Sequence, residues 1–226
     1  MNNIVIGVEG LVGSGKTSLC RELLKMIPNS IILHGGNLYR GIVFALMNSG
    51  MNPTQMKESH NIDIRKVMEM LKVSIKIINN ESVVFVDGVE INEEKLQSDK
   101  TSMSVSKIAK EADNTKLYSF AKTLIDNYKK QYNVIVSGRD LMKIYPELNY
   151  HFFVIADIET RVERKMSQYK GTEISKEELK KHIEERDKLQ AEAGYYKIYE
   201  NTIKVDVTEC KNAKESAEKV LSFIKL

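Results

Sequence analysis

The sequence predicts a three-layer α/β/α domain, with helices on both faces of a mainly parallel sheet. Two observations predict it. Short continuous apolar runs alternate with helical patterns along the chain, as strands buried on both faces require. The first of these runs also passes through a glycine-rich loop straight into a helical pattern. The 226 residues suffice for one such core with an inserted lid, and fall short of two independent domains.

In chain order, residues 3–9 form the first apolar run, and Thr17 to Ile27 carries apolar residues at helical spacing. Ile31 to Leu33 is a second strand, ended by Gly35-Gly36 and followed by a helical pattern from Leu38 to Met47. Between about Pro53 and Lys100 the character changes. A helical stretch, Ile64 to Leu71, precedes Val73 to Ile78 and Val83 to Val86, two runs joined across Asn79-Asn80 as a hairpin and followed by Asp87-Gly88. The helical pattern resumes from Thr101 to Tyr132, and Val134 to Val136 and Phe152 to Ala156 are further strands, each followed by helix-compatible sequence. Ile158 to Ala193 is highly charged and mostly helical, interrupted by Gly171; by itself it reads as a solvated helical hairpin, and beside the upstream glycine loop as a basic lid. A last strand, Ile203 to Val207, and an amphipathic helix, Ala213 to Ile224, close the domain.

Composition excludes several classes. Hydrophobic residues at 42% and charged residues at 29% are ordinary for a globular protein and argue against disorder or a fibrous repeat. The net charge of +3 gives no reason to expect a nucleic-acid or membrane partner, so any anion site must be local. The apolar start lacks a basic region and reaches Glu9, unlike a secretory signal. No apolar run approaches the roughly 20 residues of a membrane span. Cys20 and Cys210 are therefore expected to stay reduced in a cytoplasmic protein, and neither they nor His34, His60, His151 and His182 have metal-ligand spacing.

The chemistry is carried by Gly10-Leu11-Val12-Gly13-Ser14-Gly15-Lys16-Thr17, which meets the G-x-x-x-x-G-K-[ST] phosphate-loop pattern between a predicted strand and a predicted helix. Gly10, Gly13 and Gly15 allow the backbone to curl so that successive N–H groups face phosphate oxygens, and the following helix adds its positive end. Lys16 is placed for the β- and γ-phosphates of ATP, and the Thr17 hydroxyl for Mg²⁺. The expected donor-binding set is Gly10, Gly13, Ser14, Gly15, Lys16, Thr17 and Ser18. Such a loop does not by itself distinguish kinases from switches and motors.

The acceptor side rests on Tyr39-Arg40 after the second strand and Gly138-Arg139-Asp140 after the strand Val134 to Val136. Both project from the carboxyl ends of parallel strands, where open α/β sheets bind ligands. Arg40 and Arg139 are either structural ion pairs or forks that each present two N–H donors to an acceptor phosphate. Glu9 either reaches a Mg²⁺ shell through water or pairs with the N-terminal loop. Tyr195, Tyr196 and Tyr199 either pack the lid or stack on a base or sugar.

In this order, these residues resemble the bacterial cytidylate kinase family over nearly the whole chain. The likeness runs through the phosphate loop, Gly36-Asn37-Leu38-Tyr39-Arg40, Asp87-Gly88-Val89-Glu90-Ile91, Ser106-Lys107-Ile108-Ala109, Gly138-Arg139-Asp140, Arg161 with Arg164, and Glu185-Arg186-Asp187. The resemblance implies a P-loop NTPase fold of the nucleoside-monophosphate-kinase type, with a five-stranded parallel sheet. It implies one domain over residues 1–226, an acceptor-binding insert over residues 48–100 and a helical lid over residues 158–194. It further implies transfer from ATP, with Mg²⁺, to CMP or dCMP by a monomer. Lys16, Arg139, Arg161 and Arg164 would be catalytic, the last two closing with Arg186 over the transferred group. Tyr39, Arg40, Ser106, Arg139, Asp140 and Arg186 would bind the acceptor, with Ser106 on the ribose and Asp140 on the cytosine.

The chain departs from the family mainly on the acceptor side. His34-Gly35-Gly36 replaces Asp-Ser-Gly, Thr115 stands at about the place of the family's base-contacting arginine, and Leu96-Gln97-Ser98 replaces Ile-Arg-Thr. Gln190 and Ala193 occupy the last two fixed positions of R-D-x-x-D-x-x-R, and Ser137 replaces an aspartate. Losing groups that hydrogen-bond a substrate changes or relaxes specificity. Two alternatives to a CMP kinase therefore stand: a kinase of another small metabolite, or a nucleotide-binding regulator with a degenerate acceptor site.

Overall fold

The computed structural model describes residues 3–49, 64–92, 95–96, 115–167 and 174–225. Ser106 and the rest of Thr101 to Asn114, Gln97, Ser98, Gly171 and the Thr115 side chain lie outside this description.

The first strand, β1 (Val5–Gly10), is buried at every position, as a strand with neighbours on both edges and layers on both faces must be. It runs parallel to β6 (Asn133–Ser137) on one side and β7 (Tyr150–Ile155) on the other. Strand β2 (Ser30–His34) adds in parallel outside β6, and β8 (Thr202–Asp206) outside β7. These are the five expected parallel strands. Side-chain alternation divides β1 between two cores. Ile6 and Val8 face α1 (Lys16–Met26) and α8 (Ala213–Leu221), with Leu19, Leu23, Ala217 and Val220. Val5 faces the opposite layer, where Leu141, Tyr145 and Leu148 pack with Ile125 of α4 (Thr115–Lys129).

The sheet does not end at five strands. Strands β3 (Val73–Ile78) and β4 (Glu81–Val86) form the expected hairpin, with Asn79 and Asn80 at φ 50° and 64°, the doubly left-handed backbone of a tight two-residue turn. A second such turn at Asp87-Gly88 leads into β5 (Val89–Glu90), and β4 docks parallel to β2, making an eight-stranded sheet. The insert thus extends the main sheet. Polar pins account for this: Ile32 N donates to Asn80 O at 2.8 Å, His34 N to Ser82 Oγ at 2.8 Å, and Arg21 and His34 both hold Glu81. Burial raises the Glu81 pKa, but the hydrogen bonds from His34 and Arg21 outweigh it and hold the carboxyl below its ordinary value.

Helix α2 (Gly35–Asn48) starts three residues ahead of the predicted Leu38, despite two glycines. Leu38, Ile42 and Ala45 are buried with Val67 and Met68 of α3 (Ile64–Met70) and Val84 of β4, and this packing overrides the poor helix propensity of glycine. The charged segment is two capped helices, α6 (Ile158–Met166) and α7 (Lys176–Glu192), with Asp157 and the Ser175/Glu178 capping box at their starts. Val162, Leu179 and Ile183 bury the apolar stripe against Val12 of the phosphate loop, so this is a packed layer over the loop.

Candidate active site

Strand β1 ends at Gly10, whose φ of 149° and closeness to β7 leave no room for a side chain: a Cβ there would meet Val154 O at 2.1 Å. The loop then turns through Gly13 (φ 77°) and Gly15 (φ 87°), the latter immediately before α1. A Cβ on Gly15 would meet nothing within 4 Å, so it would project into open space. Lys16 Nζ donates to Gly10 O at 3.0 Å and Leu11 O at 2.6 Å. Burial, with the fields of Arg139 and Arg186, pushes the Lys16 ammonium well below the ordinary lysine range.

A cavity of about 600 Å³ opens from this loop to the acceptor side. Ser14, Gly15, Lys16, Thr17 and Ser18 line one end, and Tyr39, Arg40, Tyr118, Arg139 and Tyr195 the other. Arg186 and Gln190 of α7 lie along the same wall. Tyr39 and Arg40 sit in the second turn of α2, and Arg139 and Asp140 follow β6, so two neighbouring parallel strands deliver both pairs.

Arg139 Nε donates to Gln190 Oε1 at 2.7 Å, Nη1 donates to Gly138 O at 3.0 Å, and the guanidinium lies 5.7 Å from the Tyr196 ring centre. Burial lowers its pKa, opposed by Tyr196 and Glu9. Asp140 is 7% exposed and adopts φ 55°. Its carboxylate accepts the Tyr118 hydroxyl at 2.6 Å and Lys143 Nζ at 3.1 Å. Burial and Asp140 push the Tyr118 phenol far up, and burial does the same to Tyr39, whose hydroxyl is enclosed with no hydrogen-bond partner among the described residues.

Two of the expected catalytic arginines, Arg161 and Arg164, bond to backbone carbonyls of the phosphate loop and to the residues packed against it. Arg161 is 7% exposed in the first turn of α6 and does not line the cavity. Its Nη1 donates to Val12 O at 3.1 Å and pairs with Asp187, whose other oxygen accepts Val12 N at 3.0 Å and the Tyr196 hydroxyl. The pair therefore clamps the phosphate loop to α7. Arg164, one turn on, does line the cavity, but donates to Val207 O at 2.7 Å, Cys210 O at 3.0 Å and Ser14 O at 3.4 Å. It ties the loop to the segment after β8. Glu9 is also held inside the domain, accepting Leu141 N at 2.5 Å with His151 Nε2 at 3.5 Å.

The tyrosines divide between the two readings. Tyr196 packs edge-on to Phe153 at 5.5 Å between ring centres and Tyr199 edge-on to His151 at 6.2 Å, whereas Tyr195 lines the cavity. Sequence reasoning missed Tyr118 and Lys143. The available signal was the helical spacing of Tyr118, Ala121 and Ile125, one stripe of α4 that lines the cavity.

A phosphate loop shares this cavity with Arg40 and Arg139, carried by neighbouring parallel strands, the arrangement of a P-loop phosphotransferase. The family model for cytidylate kinase matches residues 6–226, so the chain belongs to the cytidylate kinase family and is a nucleoside monophosphate kinase. Among its relatives, the cytidylate kinase of Clostridioides difficile is 27% identical across 100% of both chains. That of Caldicellulosiruptor saccharolyticus is 27% identical over 99% of this chain and 96% of its own, and that of Thermotoga neapolitana 26% identical over 97% and 96%.

Proposed function

We propose that the protein transfers the γ-phosphoryl group of ATP, with Mg²⁺, to the phosphate of CMP or dCMP, giving CDP or dCDP. The observation that carries this reading is the single cavity in which Lys16 and the glycine loop face Arg40 and Arg139, with Asp140 buried beside them. Relatives named as cytidylate kinases across the full chain support it.

The loop suits a nucleoside triphosphate: a side chain at Gly15 would project into open space at the start of α1, and burial disfavours the charge of Lys16, which a bound anion would restore. Thr17, at the start of α1 and in the cavity lining, would hold Mg²⁺ through its hydroxyl together with the bound phosphates. When bound, Mg²⁺ neutralises charge on the β- and γ-phosphates. Lys16 and the loop N–H groups stabilise the γ-phosphoryl as its bond to the β-phosphate oxygen breaks. Arg40 and Arg139 hold the acceptor phosphate so that one of its oxygens forms the new bond in line. That phosphate is already anionic at neutral pH, so no general base is needed. The clamp of Arg161 and Asp187 on Val12 keeps the loop in shape, and α7 brings Arg186 to the cavity wall.

A second reading, phosphorylation of another small acceptor, is favoured by one observation: Tyr118 and Lys143 already occupy the Asp140 carboxylate that a cytosine would use. The test of both is ADP release from ATP and Mg²⁺ with CMP, dCMP, UMP, dTMP, AMP or GMP, against a control without acceptor. Rapid turnover with CMP or dCMP bears out the first reading. ATP binding with no stimulation by any of the six sinks it and leaves the second.

A further inference from the structure

Asp140 combines two features that need a cause. Its backbone is left-handed, at φ 55°, a conformation that side-chain-bearing residues adopt reluctantly. It also begins the short helix α5 (Leu141–Ile144) without making the side-chain capping bond typical of an aspartate in that place; its carboxylate points instead to Lys143 and to Tyr118, whose side chain lines the cavity. The backbone N–H that follows it, Leu141 N, is taken by Glu9 Oε1 at 2.5 Å across 132 residues of chain. Glu9 is 2% exposed and stands next to the phosphate loop, at the end of β1. His151 closes the far side: Nδ1 lies 2.8 Å from Thr202 Oγ1 on β8, and Nε2 faces Glu9 at 3.5 Å, an ion-pair distance without hydrogen-bond geometry.

We infer that Glu9 is a positioning residue for the acceptor: by holding Leu141 N it fixes the peptide after Asp140, keeps Asp140 left-handed, and so holds the Asp140 carboxylate on the hydroxyl of Tyr118, the member of that pair that lines the cavity. The charged hydrogen bond of a buried carboxylate is among the strong ones, and it offsets the backbone strain of a single left-handed residue. It also satisfies a donor that Asp140 would otherwise compete for. With Glu9 removed, the nearest carboxylate to the exposed N–H groups of α5 is that of Asp140, which would turn away from Tyr118. Glu9 thereby links the strand that carries the phosphate loop to the Asp140–Tyr118 pair at the cavity lining. The functional half of this inference rests on the reading of Asp140 as an acceptor contact; the structural half does not.

The experiment uses the full chain with Glu9→Ala, Glu9→Asp, Glu9→Gln and Tyr118→Phe, with crystal structures of the Glu9 variants beside steady-state kinetics. Glu9→Asp, which withdraws the carboxylate by one methylene, keeps the test open should Glu9→Ala fail to fold. In Glu9→Ala and Glu9→Asp, Asp140 should leave Tyr118. The KM for the preferred acceptor should rise about tenfold in Glu9→Ala while the KM for ATP holds, a split that a general loosening of the domain would not produce. Glu9→Gln keeps an acceptor oxygen for Leu141 N and should restore the acceptor KM to within about threefold. Tyr118→Phe should raise the acceptor KM as well, and by less once Glu9 is alanine, because the two act on one carboxylate. An Asp140 that stays on Tyr118 in Glu9→Asp overturns the inference, as does a Glu9→Gln as impaired as Glu9→Ala. Should the wild-type protein phosphorylate none of the six nucleotides, the CMP reading fails, and the position of Asp140 in the variant structures still decides the role of Glu9.

Discussion

The two ends of the cavity are built differently. The donor end is one contiguous loop, Gly10 to Thr17, whose shape is set by its own glycines and then braced by Arg161, Arg164 and Asp187. The acceptor end is assembled from α2, α4, the turn after β6 and the lid helix α7, through hydrogen bonds spanning 22 residues (Tyr118 to Asp140) and 51 residues (Arg139 to Gln190). A local device tolerates little change because each residue has a fixed task. A distributed one can exchange a partner at a time, and here it holds the departures from the family pattern.

The largest expected effect tests the donor end. Lys16→Ala should cut phosphoryl transfer by roughly a thousandfold or more with the fold intact, since it removes loop charge and no core volume; ADP release and circular dichroism check both halves. Next comes the clamp. Arg161→Ala leaves the half-buried Asp187 beside Val12 without its cation and should cost about 2 kcal/mol of stability, lowering Tm by about 6 °C, as read by calorimetry. A large fall in kcat at unchanged Tm would instead place Arg161 at the transferred group. On the acceptor end, Arg139→Lys should raise acceptor KM about tenfold and leave ATP KM alone, because a planar fork is lost. An equal effect on both substrates would break the comparison.

The smallest effect is one of pH. Lys16 has a folded-state pKa well below 10.5, so between the two values the unfolded chain binds the extra proton and stability rises with pH through that window. A bound polyphosphate favours the ammonium and raises the pKa again. ATP binding should therefore take up a proton in the same window, and ATP affinity should fall as pH rises through it. Calorimetry in buffers of different ionisation enthalpy measures the uptake. Lys16→Arg, which does not titrate there, should abolish it.

Much of the fold was legible because it is written in short-range patterns. The five parallel strands, the hairpin across Asn79-Asn80 and the helix after the loop each follow from periodicity or turn chemistry within about ten residues. Helix α2 began earlier than the propensity of Gly35-Gly36 suggested, because Leu38 and Ile42 are buried against Val67 and Val84, which local sequence does not announce. Docking of the hairpin on β2 rests on Arg21, His34, Glu81 and Ser82, residues with no motif of their own. In the site, the arginines on α6 read as a basic lid pair. Tertiary placement then gave them different partners, Arg161 the carbonyl of Val12 and the Asp187 carboxylate, Arg164 the carbonyls of Val207 and Cys210.

By itself, then, the sequence determined the layered class, the strand–loop–helix that holds phosphate and the two Arg-bearing strand ends, since glycine geometry and hydrophobic period act between near neighbours. Only the tertiary structure decided which charges meet: Glu9 with Leu141, Arg161 with Asp187, Tyr118 with Asp140. Those partners lie far apart in the chain, and a buried charge takes its role from whatever the packing of distant elements brings within hydrogen-bond reach.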